Sequence, residues 1–302
     1  MSTPTVSIVI PTYNHARFLS TALQSVQEQT YSDWEAIIVN NYSEDDTIEV
    51  VARFNDPRIR LVNYRNNGII AASRNHGIEL AQGEFVAFLD SDDTWYPDKL
   101  ARCLETIALG YDLVCHGENW IKEGSPPRRM FYGPEKRARY PSLLFDGNCL
   151  STSATLVYKS ALHRVGAFSE APEFITAEDY ELWLKLAKTG FSFGFVNEVL
   201  GEYRIHGGNQ SKVALRNMQA ELAVLEQHFL EWGGSNRTSR LQMKKRRALA
   251  FYGAGRNLQT DGRHQEALRH FWRAWQTYPF ITKCYIAALL SFSANLINPG
   301  AH

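Results

Sequence analysis

The sequence lacks the features that would mark it as secreted, membrane-spanning or nucleic-acid-binding. It has four cysteines in 302 residues, Cys103, Cys115, Cys149 and Cys284. They form no CxxC pair and have no histidine at zinc-like spacing, which fits buried free thiols in a reducing compartment. No window reaches 18 uncharged apolar residues, so no spanning helix is expected. No charged region or cleavage site precedes the first apolar run, VSIVIP, so no secretory signal is read. Lys+Arg and Asp+Glu are each 32, and the formal net charge is zero. A neutral chain has no general attraction to polyanions, which argues against nucleic acid as a partner. The expected location is cytoplasmic, with one reservation for the tail, which could touch the inner face of a membrane.

What is present is an ordinary globular composition, 44% hydrophobic and 21% charged. Short apolar runs alternate with helical patterns through the first 120 residues. VSIVIP (6–11), AIIVN (36–40), IRLVNY (59–64) and FVAFL (85–89) read as strands buried on both faces. Phe18, Leu19, Ala22, Leu23 and Val26 have the spacing of an amphipathic helix. A second helix is capped by Asp45, Asp46 or Thr47, and a third runs over 70–81 with Gly83 as its left-handed terminator. This alternation predicts an α/β fold with a parallel sheet.

Beyond residue 120 the pattern loosens. Residues 124–140 carry three prolines and five cations and read as a mobile surface loop, with a basic recognition site as the alternative. ATLVY (154–158) is a strand, 178–188 a helix, and 191–203 two short strands. From Leu215 the chain reads as wholly helical, and Phe251, Gly255, Gly262, Ala267, Phe271, Ala274 and Pro279 fit the register of one tetratricopeptide-like helix pair. Phe251, Phe271, Trp272 and Trp275 are expected to cover apolar surface of the first domain. For the apolar stretch 280–297, a packed helix fits better than membrane insertion.

Four polar constellations follow strands or open helices, where an open α/β sheet collects ligands. Pro11-Thr12-Tyr13-Asn14 follows the first strand and Asn40-Asn41-Tyr42-Ser43-Glu44-Asp45-Asp46-Thr47 the second. Each alone is more often a turn; together they could hold a flat heterocycle. Asp90-Ser91-Asp92-Asp93 follows the fourth strand. Asp93 or Thr94 could cap a helix from Tyr96, but capping needs one oxygen, and three carboxylates point to Mg²⁺ or Mn²⁺. Glu178-Asp179 opens a later helix, where acids suit the dipole or could supply a general base.

In order and spacing, VSIVIPTYNHARFLSTALQSVQEQTY, WEAIIVNNYSEDDT, RNNGIIAASRNHGI, GEFVAFLDSDDTW and AEDYELWLKLAKTG resemble a bacterial family 2 glycosyltransferase over about residues 4–210. The resemblance implies an A-type glycosyltransferase sheet that binds a nucleotide sugar, with helices on both faces, followed by an all-helical C-terminal extension. It implies inverting transfer from a nucleotide-diphosphate donor, UDP-sugar favoured, to a hydroxyl on a glycan or lipid-linked acceptor. The usual setting is assembly of cell-surface polysaccharide or lipopolysaccharide.

The resemblance also assigns roles. Pro11, Thr12, Tyr13 and Asn14 would frame the base, with Tyr13 stacking on it. Asn41 stands where the family usually has an aspartate that accepts from the uracil ring; its amide can accept or donate, so uracil is one option. Arg74 and Asn75 would reach the ribose or diphosphate, and Asp90 with Ser91 the ribose or metal-bound water. Asp92 would hold Mg²⁺ or Mn²⁺, with Asp90 and His206 beside it. Asp179 would be the catalytic base, with Glu178 next to it. Tyr203, Arg204 and His206 in EYRIHGGNQS match the segment that closes over the donor. The expected domains are 1–212, catalytic, and 213–302, helical, with peripheral membrane contact through the helices left open. The rival readings are a nucleotidylyltransferase, which would need a Gly-rich phosphate loop where PTYN stands, and a non-catalytic sugar-nucleotide-binding scaffold.

Overall fold

The computed structural model describes residues 3–206, 214–233 and 236–297. The boundary expected at 212/213, and the 207–211 end of EYRIHGGNQS, lie outside those residues. Strands β1 (Val6–Thr12) and β2 (Trp34–Asn40) are buried at every position. With β3 (Ile59–Asn63) and β4 (Phe85–Phe88) they form a parallel array in the order β3-β2-β1-β4. Parallel neighbours need crossovers, and α1 (Ala16–Gln27), α2 (Thr47–Ala52) and α3 (Ile70–Leu80) supply them. The predicted stripe of α1 buries Leu19, Ala22, Leu23 and Val26 in one core cluster with Val6, Ile8 and Ile10.

The sheet then becomes mixed. After β5 (Thr94–Trp95) and α4 (Lys99–Ile107) come β6 (Leu113–Lys122), β7 (Arg128–Met130), α5 (Glu135–Ala138) and α6 (Ser142–Asp146). β8 (Thr155–Tyr158), α7 (Lys159–Val165), α8 (Glu178–Thr189) and β9 (Phe193–Ile205) follow. β8 lies antiparallel between β4 and β6, giving the order β3-β2-β1-β4-β8-β6-β9-β5, with β7 paired to β6.

Several local expectations are corrected. The 124–140 segment is not wholly a loop: Arg128–Met130 pairs with β6 and Glu135–Ala138 is helical. Residues 193–205 form one strand, because bulges in the β6–β9 register absorb the irregular pattern. Asp93 and Thr94 cap no helix; Thr94–Trp95 is a strand, and α4 starts after Asp98. Gly83 does not adopt the left-handed conformation. It is small because a Cβ there would sit 2.8 Å from the Ser7 nitrogen and 2.9 Å from the Thr5 oxygen.

The chain forms two compact units, one of residues 1–143, 148–170 and 178–206, the other of 144–147, 171–177 and 207–302. The second unit contains α9 (Ala214–Trp232), α10 (Arg237–Thr260), α11 (His264–Thr277) and α12 (Thr282–Ile297). In it Gly255 lets Phe271 approach α10; a Cβ would lie 2.5 Å from that ring. Phe271 packs with Ala248, Leu258, Ala267 and Ala274. Trp272 and Trp275, expected to be covered, are exposed and stacked on each other, with ring centroids 4.7 Å apart.

Candidate active site

The carboxyl ends of β1 and β2 are stitched together by asparagines. Asn14 adopts the left-handed backbone that asparagine tolerates, its N–H donates to Ser43 Oγ at 2.9 Å, and its Oδ1 accepts from the Glu44 N–H at 2.8 Å. Asn40 is buried, accepts from Ser43 and donates to Asn63. Asn41 Oδ1 accepts from the Asn66 N–H at 3.0 Å, which orients the amide. Pro11 lies within β1. Pairing with β4 stops at Val9, whereas pairing with β2 continues to Thr12. Tyr13 stands half-exposed beyond this frame.

The acidic run after β4 is divided among different partners. Arg74, on α3 and only 3% exposed, places Nη2 2.7 Å from Asp90 Oδ1 and Nη1 2.8 Å from Glu178 Oε1. One guanidinium thus joins the end of β4 to the start of α8. Asp92 Oδ2 lies 2.9 Å from His206 Nε2. Asp93 is fully buried, accepting from Ser153 Oγ at 2.6 Å and the Arg204 N–H at 2.9 Å. Burial and the neighbouring carboxylates raise the pKa values of Asp92 and Asp93 above the ordinary aspartate range, making both weaker acids.

Asp179 opens α8 beside Glu178. Its Oδ1 accepts from the Tyr180 N–H at 2.6 Å and its Oδ2 from Thr152 Oγ1 at 3.2 Å. Burial, then the Glu178 charge, push its pKa up to about 6, against the opposing pull of Arg74. A carboxylate ionised just below neutrality suits general-base work.

The three metal ligands expected from the sequence are not assembled as a cage. Among the described residues, no group of three or more His, Cys, Asp or Glu is arranged to hold a metal ion. Asp90 is drawn toward Arg74, while Asp92 and His206 pair with each other. An Asp–His pair fits a hard divalent cation that takes its remaining ligands from diphosphate oxygens and water. Burial and the Asp90 charge raise the pKa of Asp92 against the opposing pull of His206, and a divalent cation bound there would offset both.

Two further assignments change. Both Nη atoms of Arg74 are engaged by carboxylates, so it anchors the acidic residues and is not held out toward a diphosphate. Asn75 is turned to another loop: its amide donates to the Phe168 oxygen and Glu170, and accepts from the Phe168 N–H. Several further side chains join these. His15 Nδ1 lies 2.9 Å from Ser91 Oγ, and Phe18 stacks on His206 with centroids 4.6 Å apart. Ser153, on the approach to β8, holds both Asp93 and the Asp90 N–H. Glu118 on β6 is buried and accepts from Tyr132 at 2.5 Å; burial pushes its pKa up to about 7. The adjacency of His15 to PTYN was a legible signal; for Glu118 only the fold supplies one.

Residues 7–169 match the family described as Glycosyl transferase family 2. The TuaG protein of Bacillus subtilis (strain 168), which carries a name from teichuronic acid biosynthesis, is 31% identical over 242 residues, 76% of this chain and 91% of that protein. The Escherichia coli UDP-Glc:alpha-D-GlcNAc-diphosphoundecaprenol beta-1,3-glucosyltransferase WfgD is 30% identical over 224 residues, 73% and 85% of the two chains. In fold, the chain is similar to S. aureus TarS 1–349 in complex with UDP-GlcNAc (TM-score 0.61, 18% identity, 93% and 91% covered). It is also similar to the Pyrobaculum calidifontis mannosyltransferase PcManGT in complex with GDP-Man and Mn2+ (TM-score 0.58, 19% identity, 99% and 87% covered).

Proposed function

The chain belongs to glycosyl transferase family 2, and we propose that it moves a sugar, with inversion, from a UDP-sugar to a hydroxyl of a glycan or lipid-linked acceptor in cell-surface polysaccharide assembly. The observation that carries this reading is the Arg74 bridge, which joins the acidic end of β4 to the α8 terminus bearing Asp179. An inverting displacement needs a base on the face of the sugar opposite the leaving group. Two carboxylate sites on separate elements, fixed about one buried cation, suit that division of work.

Tyr13 offers its exposed ring to the base, and Asn41, its oxygen already engaged by the Asn66 N–H, offers its NH₂. Asp92 and His206 would hold Mg²⁺ or Mn²⁺, which when bound neutralises charge on the leaving diphosphate. Asp179 removes the acceptor hydroxyl proton as that oxygen attacks the anomeric carbon. Thr152 and the Tyr180 N–H orient its carboxylate for this. Arg74 fixes Glu178, so of the two neighbouring acids Asp179 is the one left to take a proton. The relatives' names support the donor and acceptor classes: WfgD takes UDP-Glc and a diphosphoundecaprenol-linked sugar.

The test is a panel of UDP- and GDP-sugars with Mn²⁺ or Mg²⁺, read by nucleotide release and by NMR of the product. UDP release with an inverted anomeric centre is expected. Retention, or turnover confined to GDP-sugars, would refute the mechanism or the donor class respectively.

A further inference from the structure

α12 has an inverted distribution of side chains. A helix packed in a globular unit usually buries its large apolar residues and exposes polar ones. Here the buried residues are small: Cys284, Ala287 and Ser291. The large ones point outward, with Ile286 62% and Leu289 67% exposed, and Leu290 and Phe292 more than half exposed. At 100° per residue, Tyr285, Ile286, Leu289, Leu290 and Phe292 fall within one arc of the helix surface, and the small residues occupy the opposite arc. The neighbouring α11 adds the exposed stacked pair Trp272 and Trp275, and the turn between the helices adds exposed Phe280.

The charge of this region is one-sided. No Asp or Glu follows Glu266, whereas Arg269, Arg273 and Lys283 do, in a chain whose total charge is zero. Among the described residues no helix is long and apolar enough to cross a membrane. An outward apolar arc with Trp and Tyr, accompanied by three cations and by no acid beyond Glu266, which pairs with Arg263 in the first turn of α11, has the chemistry of an element lying in the headgroup region of an anionic bilayer. A self-associating face has no need to exclude acids. We infer that α11 and α12 seat this protein on anionic lipid, with Ile286, Leu289 and Phe292 entering the acyl boundary and Arg269, Arg273 and Lys283 meeting lipid phosphates. This inference stands apart from the glycosyltransfer reading, since it requires neither donor nor turnover.

The test is flotation of the full chain with vesicles of phosphatidylcholine alone or with about one-third phosphatidylglycerol, alongside light scattering of the lipid-free protein. Wild type should float with the anionic vesicles, less so as salt is raised, and only weakly with phosphatidylcholine. Ile286→Glu with Leu289→Glu should reduce binding at least about tenfold while retaining helix content and melting temperature, because both residues are exposed. Arg269→Gln, Arg273→Gln and Lys283→Gln together should remove the preference for phosphatidylglycerol. Equal binding by the Glu variant, or no lipid preference in wild type, would overturn the inference. So would an oligomer that the Glu substitutions dissociate, combined with no flotation, since a second copy would then cover the face.

Discussion

Arg74 and Glu178, 104 residues apart in sequence, meet through a 2.8 Å ion pair, and the same guanidinium reaches Asp90 at 2.7 Å. Without Arg74 the two acids would be left close together and poorly solvated. Removing one partner of a buried ionic cluster destabilises a protein by about 3–5 kcal/mol. Arg74→Met should therefore lower the denaturant midpoint strongly and abolish transfer. Arg74→Lys retains the charge but not the fork, and should recover part of the stability with little of the activity. Wild-type stability in Arg74→Met, measured by urea titration, would mean that the bridge contributes nothing.

Lys99 presents the opposite problem, a cation buried in the first unit. It is fully buried, its Nζ donates to the Thr155 oxygen at 3.2 Å and lies 3.7 Å from the Trp95 ring centre, and burial lowers its pKa to about 8. A depressed lysine pKa means that the folded state binds fewer protons than the unfolded state between about pH 8 and 10.5. Its penalty to stability is thus full below pH 8 and fades as pH rises through that window. Lys99→Met should raise stability at pH 7 by about 1–3 kcal/mol, with the gain shrinking by pH 10. A lower melting temperature at pH 7 would show that the carbonyl and ring contacts outweigh the desolvation.

Gly255 bears on the second unit. An added Cβ would lie 2.5 Å from the buried Phe271 ring. Gly255→Ala should lose about 1–3 kcal/mol through overpacking, despite alanine's better helix propensity. Phe271→Leu in the same chain should restore part of the loss. A more stable Gly255→Ala would contradict the close packing of α10 on α11.

Much of this arrangement was legible in the sequence because β1, β2 and β4 are mostly apolar and buried throughout, whereas β3, expected to be buried on both faces, is only half-buried and carries Arg60. The places where reading failed share a physical cause. Gly83 looks like a helix terminator, but its size is set by the β1 backbone, which lies far away in sequence. Arg74 looks like a phosphate ligand until the fold shows which carboxylates face it. Ser153 and Glu118 carry no motif and join the acidic cluster only through the fold, Ser153 by its bond to Asp93 and Glu118 by its charge near Asp93. The apolar stretch in α12 is helical, as its composition predicts, but composition alone does not distinguish an inward from an outward face for its large residues.

Asp92 gives the metal prediction. Its pKa is raised by burial and by Asp90, and a divalent cation would relieve both. Calorimetric titration with nucleoside diphosphate should show binding that needs Mn²⁺ or Mg²⁺ and disappears with EDTA. Asp92→Asn should lose that metal response while keeping the fold. Unchanged affinity and metal dependence in the variant would show that the cation is held elsewhere.

The assignment of Asp179 as the base is the centre of the account, and single-turnover transfer with saturating donor tests it most directly. Wild-type rates should fall about tenfold per pH unit below about 6, where the raised pKa protonates the carboxylate. Asp179→Asn is nearly isosteric and should slow transfer by about 10²–10⁴-fold with donor affinity close to wild type. It should also melt slightly higher at pH 7, because an acid whose folded pKa is raised is less stabilising once ionised. Glu178→Gln, which weakens the Arg74 pair, should reduce stability more than Asp179→Asn does. An Asp179→Asn enzyme that transfers at the wild-type rate and with the wild-type pH profile would contradict the account.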